Sequence, residues 1–276
     1  MDDGVRRVAR CTCWQTGHVS RLVEDARIPP RYLRCDLENF LVYPNEQLIN
    51  ALGHARRFAD AFPAVQKGLC LIGPPGIGKT HIAVSVLRRV VIEKGARGLF
   101  YDVRDLLRVI RSTYNPVVRA AEMDILRPVM DAELLVLDDL GAEKPSEWVE
   151  ETMSYIVNTR YNERRPTIFT SNYENLPDET NLETLKVRVG FRLHSRLHEM
   201  CEFLEYDGGD YRMMPANGGP DDLTTLWKRN KGRRVLPTRA TGQARADIKT
   251  DRLADLRKGI AGDARELMWP GGKASR

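Results

Sequence analysis

The chain of 276 residues is 42% hydrophobic and 29% charged, a globular composition with room for one sizeable core and extensions beyond it. No apolar run is long enough to span a bilayer and the stretch Met1 to Arg7 lacks the apolar segment of a signal peptide, so membrane and secretory roles are set aside and a cytoplasmic protein is expected. The net charge of +5 is uneven: Asp221 to Arg276 holds 14 Lys and Arg against 7 Asp and Glu, which suits either an anionic partner such as nucleic acid or a solvated tail.

Residues 1–38 read as an N-terminal extension. Cys11, Cys13, His18 and Cys35 are zinc-ligand types, but the spacing offers no Cys-x-x-Cys pair, and the five cysteines of the chain fit reduced thiols better; zinc is not expected. Ile28-Pro29-Pro30-Arg31-Tyr32 is a rigid, extended connector. From Asn45 to Phe62, apolar residues at Leu48, Ile49, Leu52, Ala55, Ala59 and Phe62 predict a helix that Pro63 ends.

Gly68 to Ile72 is a short apolar strand that breaks into Gly73-Pro74-Pro75-Gly76-Ile77-Gly78-Lys79-Thr80, followed at once by an apolar helical pattern to Lys94 with Gly95 as its cap. Strand, glycine-rich turn and helix are the context of a phosphate-binding P-loop. The turn aims backbone N–H groups at a polyphosphate, Lys79 reaches the β- and γ-phosphates of ATP, and the Thr80 hydroxyl holds Mg²⁺.

Leu99 to Val103 is a second strand leading into a two-faced helix, with Val103, Leu106, Leu107 and Ile110 on one side and Arg104, Arg108 and Arg111 in line on another. With Ser112 and Tyr114 at its end, this row has the charge and the stacking face that single-stranded DNA requires; a solvated basic face has the same pattern. Leu134 to Gly141 is a continuous apolar strand ending in Asp138 and Asp139, the Walker B arrangement: Asp138 serves the Mg²⁺ shell and Asp139 the attacking water. Asp139 stands where many such ATPases carry Glu, so slow or partner-dependent hydrolysis is expected. Ser146 caps a helix to about Arg164, and Pro166 to Asn172 is a fourth strand whose tip, Asn172, can hold the catalytic water. Leu182 to Met200 is helical with a break at Gly190 and carries Arg192 and Arg196 on one face; Cys201 to Tyr206 is a fifth strand. The tail from about Ala216 is basic and regains a helical pattern near Asp247 to Met268.

Strands alternating with helices imply a parallel, doubly wound α/β core with nucleotide at the strand C-terminal ends. Beyond that, Phe40 to Arg212 resembles the DnaC/IstB-type AAA+ ATPases, bacterial replicative-helicase loaders and transposition helpers. The match is carried by Gly68 to Ala83, Val136 to Gly141, Arg165 to Asn172, Ser195-Arg196-Leu197 and Gly209-Asp210-Tyr211-Arg212. The resemblance implies an α/β P-loop core with a five-stranded parallel sheet and helices on both faces. It spans 39–215, between the extension at 1–38 and a basic, partly disordered tail at 216–276. It also implies nucleotide contacts from the P-loop through His81, Asn172 as sensor 1, Arg212 as sensor 2, and Arg196 as the arginine finger that reaches a neighbouring subunit's ATP, hence self-association. The segment Arg104 to Asn115 falls where these loaders grip single-stranded DNA. The function expected first is ATP-driven loading of a replicative helicase; the alternatives are an accessory ATPase of a transposase and a nucleotide-binding adaptor with negligible turnover.

Overall fold

A computed structural model describes residues 12–114, 122–177, 181 and 183–230. Its elements run α1 (Thr12–Asp25), α2 (Glu46–Ala61), β1 (Gly68–Ile72), α3 (Lys79–Lys94), β2 (Gly98–Asp102), α4 (Val103–Ser112), α5 (Glu122–Asp131), β3 (Leu134–Asp138), α6 (Glu147–Asn162), β4 (Thr167–Ser171), α7 (Leu185–Val189), α8 (Phe191–Met200), β5 (Cys201–Glu205) and α9 (Pro220–Asn230). The five strands form one parallel sheet in the order β2-β3-β4-β1-β5.

Strand alternation divides the core into two layers. Leu69, Leu71, Phe100, Leu134, Val136, Ile168 and Leu204 face α1, α2 and α3; Cys70, Ile72, Leu99, Leu135, Leu137 and Phe169 face α4, α5, α6, α7 and α8. The strands read as continuous apolar runs because both faces are covered. Helix α3 is buried along Ile82–Leu87 and again at Val90 and Val91, where it passes under the sheet, and Gly95 ends it at φ 64°. Asn45 and Ser146 cap α2 and α6 by accepting the amides of Leu48 and Val149.

The register sets the site. Asp102 pairs with Asp138, Leu137 with Phe169, and Ile72 with Ser171, so the carboxyl ends of β2, β3, β4 and β1 lie in one row. An open parallel sheet presents ligands at that edge.

Residues on either side of the expected 39–215 core pack against it. Leu22, Ala26, Ile28, Cys35 and Leu37 are buried, and the Ala26 carbonyl accepts the Phe100 amide at 2.8 Å. Past residue 215, α9 buries Leu223 completely and sets Trp227 against Tyr43 with ring centroids 6.1 Å apart. Helix α5 lies in a stretch with no predicted element; Pro128 inside it and its short length hide the helical period. Cys11 and the helical pattern at 247–268 lie outside the described residues, and among the described residues no group of three or more His, Cys, Asp and Glu could hold a metal ion. Cys35 is buried and its thiol is pushed up by that burial. No helix among the described residues is long and apolar enough to cross a membrane.

Candidate active site

The turn Gly73 to Gly78 leaves β1 and enters α3 with positive φ at three glycines, and the fit around Gly76 is decisive: at φ 86°, a Cβ there would stand 1.9 Å from an Asp210 carboxylate oxygen. Gly78 is as constrained, since a Cβ would meet the Phe40 ring at 2.6 Å. The Tyr211 amide donates to the Gly76 carbonyl at 3.0 Å, so the block at 209–212 braces the turn from outside.

Lys79 opens α3 and is buried; its Nζ donates to the carbonyls of Gly73 and Pro74, both at 2.7 Å, and to Asn172 Oδ1 at 2.8 Å. Burial pulls its pKa down to about 8, against the opposing pull of Asp138 and Asp139. Thr80 Oγ1 donates to Asp138 at 2.9 Å, and Thr170 Oγ1 donates to the same carboxylate at 2.6 Å. Burial raises the Asp138 pKa, and the two hydroxyl bonds offset part of that rise.

Asp139 is one of the non-glycine residues with positive φ, at 60°, and its amide donates to Thr170 Oγ1 at 2.9 Å. Its side chain is held from two sides, by Asn172 Nδ2 on Oδ1 and by Arg104 Nη2 on Oδ2 at 3.0 Å. Lys79, Asn172, Asp139 and Arg104 therefore form one chain of hydrogen bonds across the strand ends.

These groups open on a cleft of about 620 Å³ lined by Pro75, Gly76, Gly78, Lys79, Thr80, His81, Asp102, Asp138, Asp139, Thr170, Asn172 and Arg212. That volume is in the range of small-ligand sites. Its outer wall is Arg31, Tyr32, Asn39, Phe40, Leu41 and Tyr211. His81 Nε2 sits 3.2 Å from the Asp36 carbonyl and 3.1 Å from Asn39 Oδ1, and burial, the largest influence on it, lowers its pKa.

The cradle suits a nucleoside triphosphate. Glycines admit backbone that a Cβ would block, one buried ammonium meets a ring of carbonyls and amides, and the Thr80 hydroxyl beside the Asp138 carboxylate offers the hard oxygen donors Mg²⁺ prefers. Asn172, Asp139, Asp138, Thr80, Lys79, His81 and Arg212 are thus brought together. Arg196 is not among the residues lining the cleft: it lies on α8, its guanidinium 6.0 Å from the centre of the Tyr161 ring.

The row expected to meet DNA is divided. Arg104 pairs with Asp139, which lines the cleft, whereas Arg108 is 77% exposed and pairs with Asp105 at 3.3 Å. Arg111 lies over the Trp148 ring at 4.4 Å, Ser112 Oγ donates to the Val109 carbonyl, and the Tyr114 hydroxyl donates to Glu122 at 3.1 Å. Sequence reasoning missed Thr170 and the pairing of Arg104 with Asp139. Both follow from register: Asp102, two residues before Arg104, pairs with Asp138, and Thr170 follows the Phe169 partner of Leu137.

A family model described as "IstB-like ATP binding protein" matches residues 57–215. The chain is similar to the replicative helicase loader DnaC of Escherichia coli (strain K12), at 26% identity over 65% of this chain and 69% of that protein. Among solved structures, the crystal structure of the DnaC helicase loader is 35% identical with a TM-score of 0.56, covering 64% of this chain and 99% of that one. The crystal structure of DnaI is 25% identical with a TM-score of 0.54, covering 69% and 98%. The matched span includes the P-loop, both acids of β3, Asn172, Arg196 and Arg212, and with the five-stranded parallel sheet it makes this chain a member of the IstB-like ATP-binding family, the DnaC/IstB-type AAA+ ATPases.

Proposed function

We propose that the protein is an ATPase that places a ring-shaped replicative helicase on single-stranded DNA. The observation that carries this reading is the convergence of Lys79, Thr80, Asp138, Asp139, Asn172 and Arg212 on one cleft, while Arg196 stands elsewhere, on α8. Lys79 and the P-loop amides bind the triphosphate, Thr80 and Asp138 hold Mg²⁺, and Mg²⁺ supplies charge neutralisation at the phosphates. Asp139, oriented by Asn172, receives the proton of the attacking water. Arg212 contacts nucleotide in its own subunit, and Arg196 completes a neighbour's site, so hydrolysis requires self-association. Arg108, Arg111, Ser112 and Tyr114 offer charge and an aromatic face to DNA.

Similarity to relatives named helicase loaders supports this choice of client. A second reading, an accessory ATPase of a transposase, is favoured by the IstB-like description of the matching family. Pull-down of the tagged full chain with ATP, offering a replicative helicase and a transposase in parallel, separates the two. Helicase capture that Lys79→Ala weakens is expected; capture of the transposase alone overturns the loader reading.

A further inference from the structure

We propose that Tyr161 is a positioning residue for Arg196: its hydroxyl holds the Glu199 carboxylate, and so keeps that carboxylate from pairing with the guanidinium that serves a neighbouring subunit's ATP. It rests on the functional reading of Arg196 given above and names what keeps that side chain free.

Glu199 is the group on which the arrangement turns. It is exposed, in the last turn of α8, three residues after Arg196. Residues three apart on a helix are neighbours, so an ion pair between the two is the ordinary outcome. The end of a helix also carries partial negative charge, which disfavours a carboxylate and makes any nearby donor valuable to it. The competing donor comes from another element. Tyr161 stands in the last turn of α6, and its hydroxyl donates to Glu199 Oε1 at 2.5 Å. That bond raises the Tyr161 pKa, so the hydroxyl keeps its proton and remains a donor at neutral pH.

The two parts of Tyr161 thus act on different residues. Its hydroxyl occupies Glu199, while its ring offers a face to Arg196, whose guanidinium lies 6.0 Å from the ring centre, the outer limit of a cation–π contact. Among the described residues Arg196 forms no ion pair and no hydrogen bond from its side chain, so every donor of the guanidinium is left for a phosphate. Were Glu199 released, Arg196 would have to break an ion pair before reaching the neighbour's γ-phosphate. An arginine finger acts on charge in the transition state, so that cost falls on kcat rather than on ATP binding.

Steady-state ATP turnover of the full-length protein provides the first test. Tyr161→Phe keeps the ring and removes only the hydroxyl; it is expected to lower kcat by about two- to fivefold, the range an exposed ion pair can impose, at unchanged KM and Tm. Glu199→Gln alone is expected to stay near the parent rate, and adding it to Tyr161→Phe to restore that rate. An equal loss with and without Glu199→Gln overturns the proposal, because the hydroxyl then acts through another group. Mixing provides a readout that a merely structural role would not move: Lys79→Ala brings an intact Arg196, so it should raise the rate of Tyr161→Phe, and no gain on mixing counts against a defect in the finger. A crystal structure of Tyr161→Phe needs no turnover; Glu199 within about 4 Å of the Arg196 guanidinium is expected, and Arg196 still unpaired overturns the proposal. If Arg196→Ala turns over at the parent rate, the reading of Arg196 fails and the role of Tyr161 with it; a slow Arg196→Ala beside a parental Tyr161→Phe removes the role of Tyr161 alone.

Discussion

Arg160 tests whether the second core layer is built as described. It lies on α6 with no exposed surface, and its guanidinium makes five hydrogen bonds: Nε to Thr167 Oγ1, Nη1 to the carbonyls of Val129, Met130 and Ala132, and Nη2 to the Pro166 carbonyl. The three Nη1 acceptors lie at the C-terminal end of α5, where carbonyls lack helical partners and the helix dipole favours a cation. The fork thereby ties α5 and the start of β4 to α6, and burial lowers its pKa to about 9, so it stays charged at neutral pH. Arg160→Met fills most of the volume and removes every donor. Pro166 keeps the Leu135 amide and the Thr167 hydroxyl still donates to the Arg165 carbonyl, but the three helix-end carbonyls lose their partner; at about 1 kcal/mol each, the low end for buried unsatisfied groups, the loss is ~3 kcal/mol. For a chain of this size that lowers Tm by roughly 10 °C. Urea unfolding followed by far-UV circular dichroism reads it directly, and Arg160→Lys, with one ammonium in place of a fork, should recover less than half. A loss below about 1 kcal/mol for Arg160→Met would mean that these carbonyls find other donors and that the fork is not what joins the elements.

Three functional predictions follow from the cleft. Only the charged form of Lys79 binds phosphate, and burial brings its pKa to about 8, so ATP affinity should be flat below that pH and fall by about tenfold per unit above it; a fluorescent ATP analogue titrated on either side of pH 8 checks this, and a level profile counts against it. Gly76→Ala places a methyl 1.9 Å from the Asp210 carboxylate and should abolish nucleotide binding while leaving the far-UV spectrum unchanged; calorimetry showing parental affinity would refute the close fit of the turn against 209–212. Arg196→Ala should bind ATP normally and turn over at least about tenfold more slowly, and mixing it with Lys79→Ala should restore part of the rate, because each supplies the half-site the other lacks. No recovery on mixing would place Arg196 outside the composite site.

Much of this was legible in the sequence because its signals are local. Gly68 to Thr80 and Leu134 to Gly141 carry strand, turn and chemistry in consecutive residues; β1 has the expected bounds, α3 starts one residue early, and β3 starts as expected but ends at Asp138, three residues before Gly141. Helix α4 shows the limit. Its buried face, Val103, Leu106, Leu107 and Ile110, is as read, but periodicity assigns Arg104, Arg108 and Arg111 to one row and says nothing of what each meets. The meeting of Arg104 with Asp139 depends on the pairing of β2 with β3, a non-local fact. Helix α9 escaped for a related reason: its apolar content is little more than Leu223 and Trp227, and they are core residues only because Tyr43 and Gly209, far away in sequence, stand opposite.

The same non-local packing explains why the cleft is larger than the span the family shares. The match begins at residue 57, yet Arg31, Tyr32, Asn39, Phe40 and Leu41 form the wall facing the P-loop. That wall is stitched to the other end of the core: the Tyr43 hydroxyl accepts the Gly209 amide at 2.8 Å, the Tyr211 hydroxyl donates to the Leu41 carbonyl at 2.6 Å, and Asn45 Nδ2 donates to the Asp207 carbonyl at 2.7 Å. Phe40 packs against both His81 and Tyr211, which ties the segment before α2 to the start of α3 and to the turn after β5. The segments 31–43 and 207–212 therefore form one packed wall beside the P-loop. That wall joins α1 through Ala26, Ile28 and Leu37 in the shared core, and α9 through Tyr43 and Trp227, so the cleft is braced by elements on both sides of the span the family model matches.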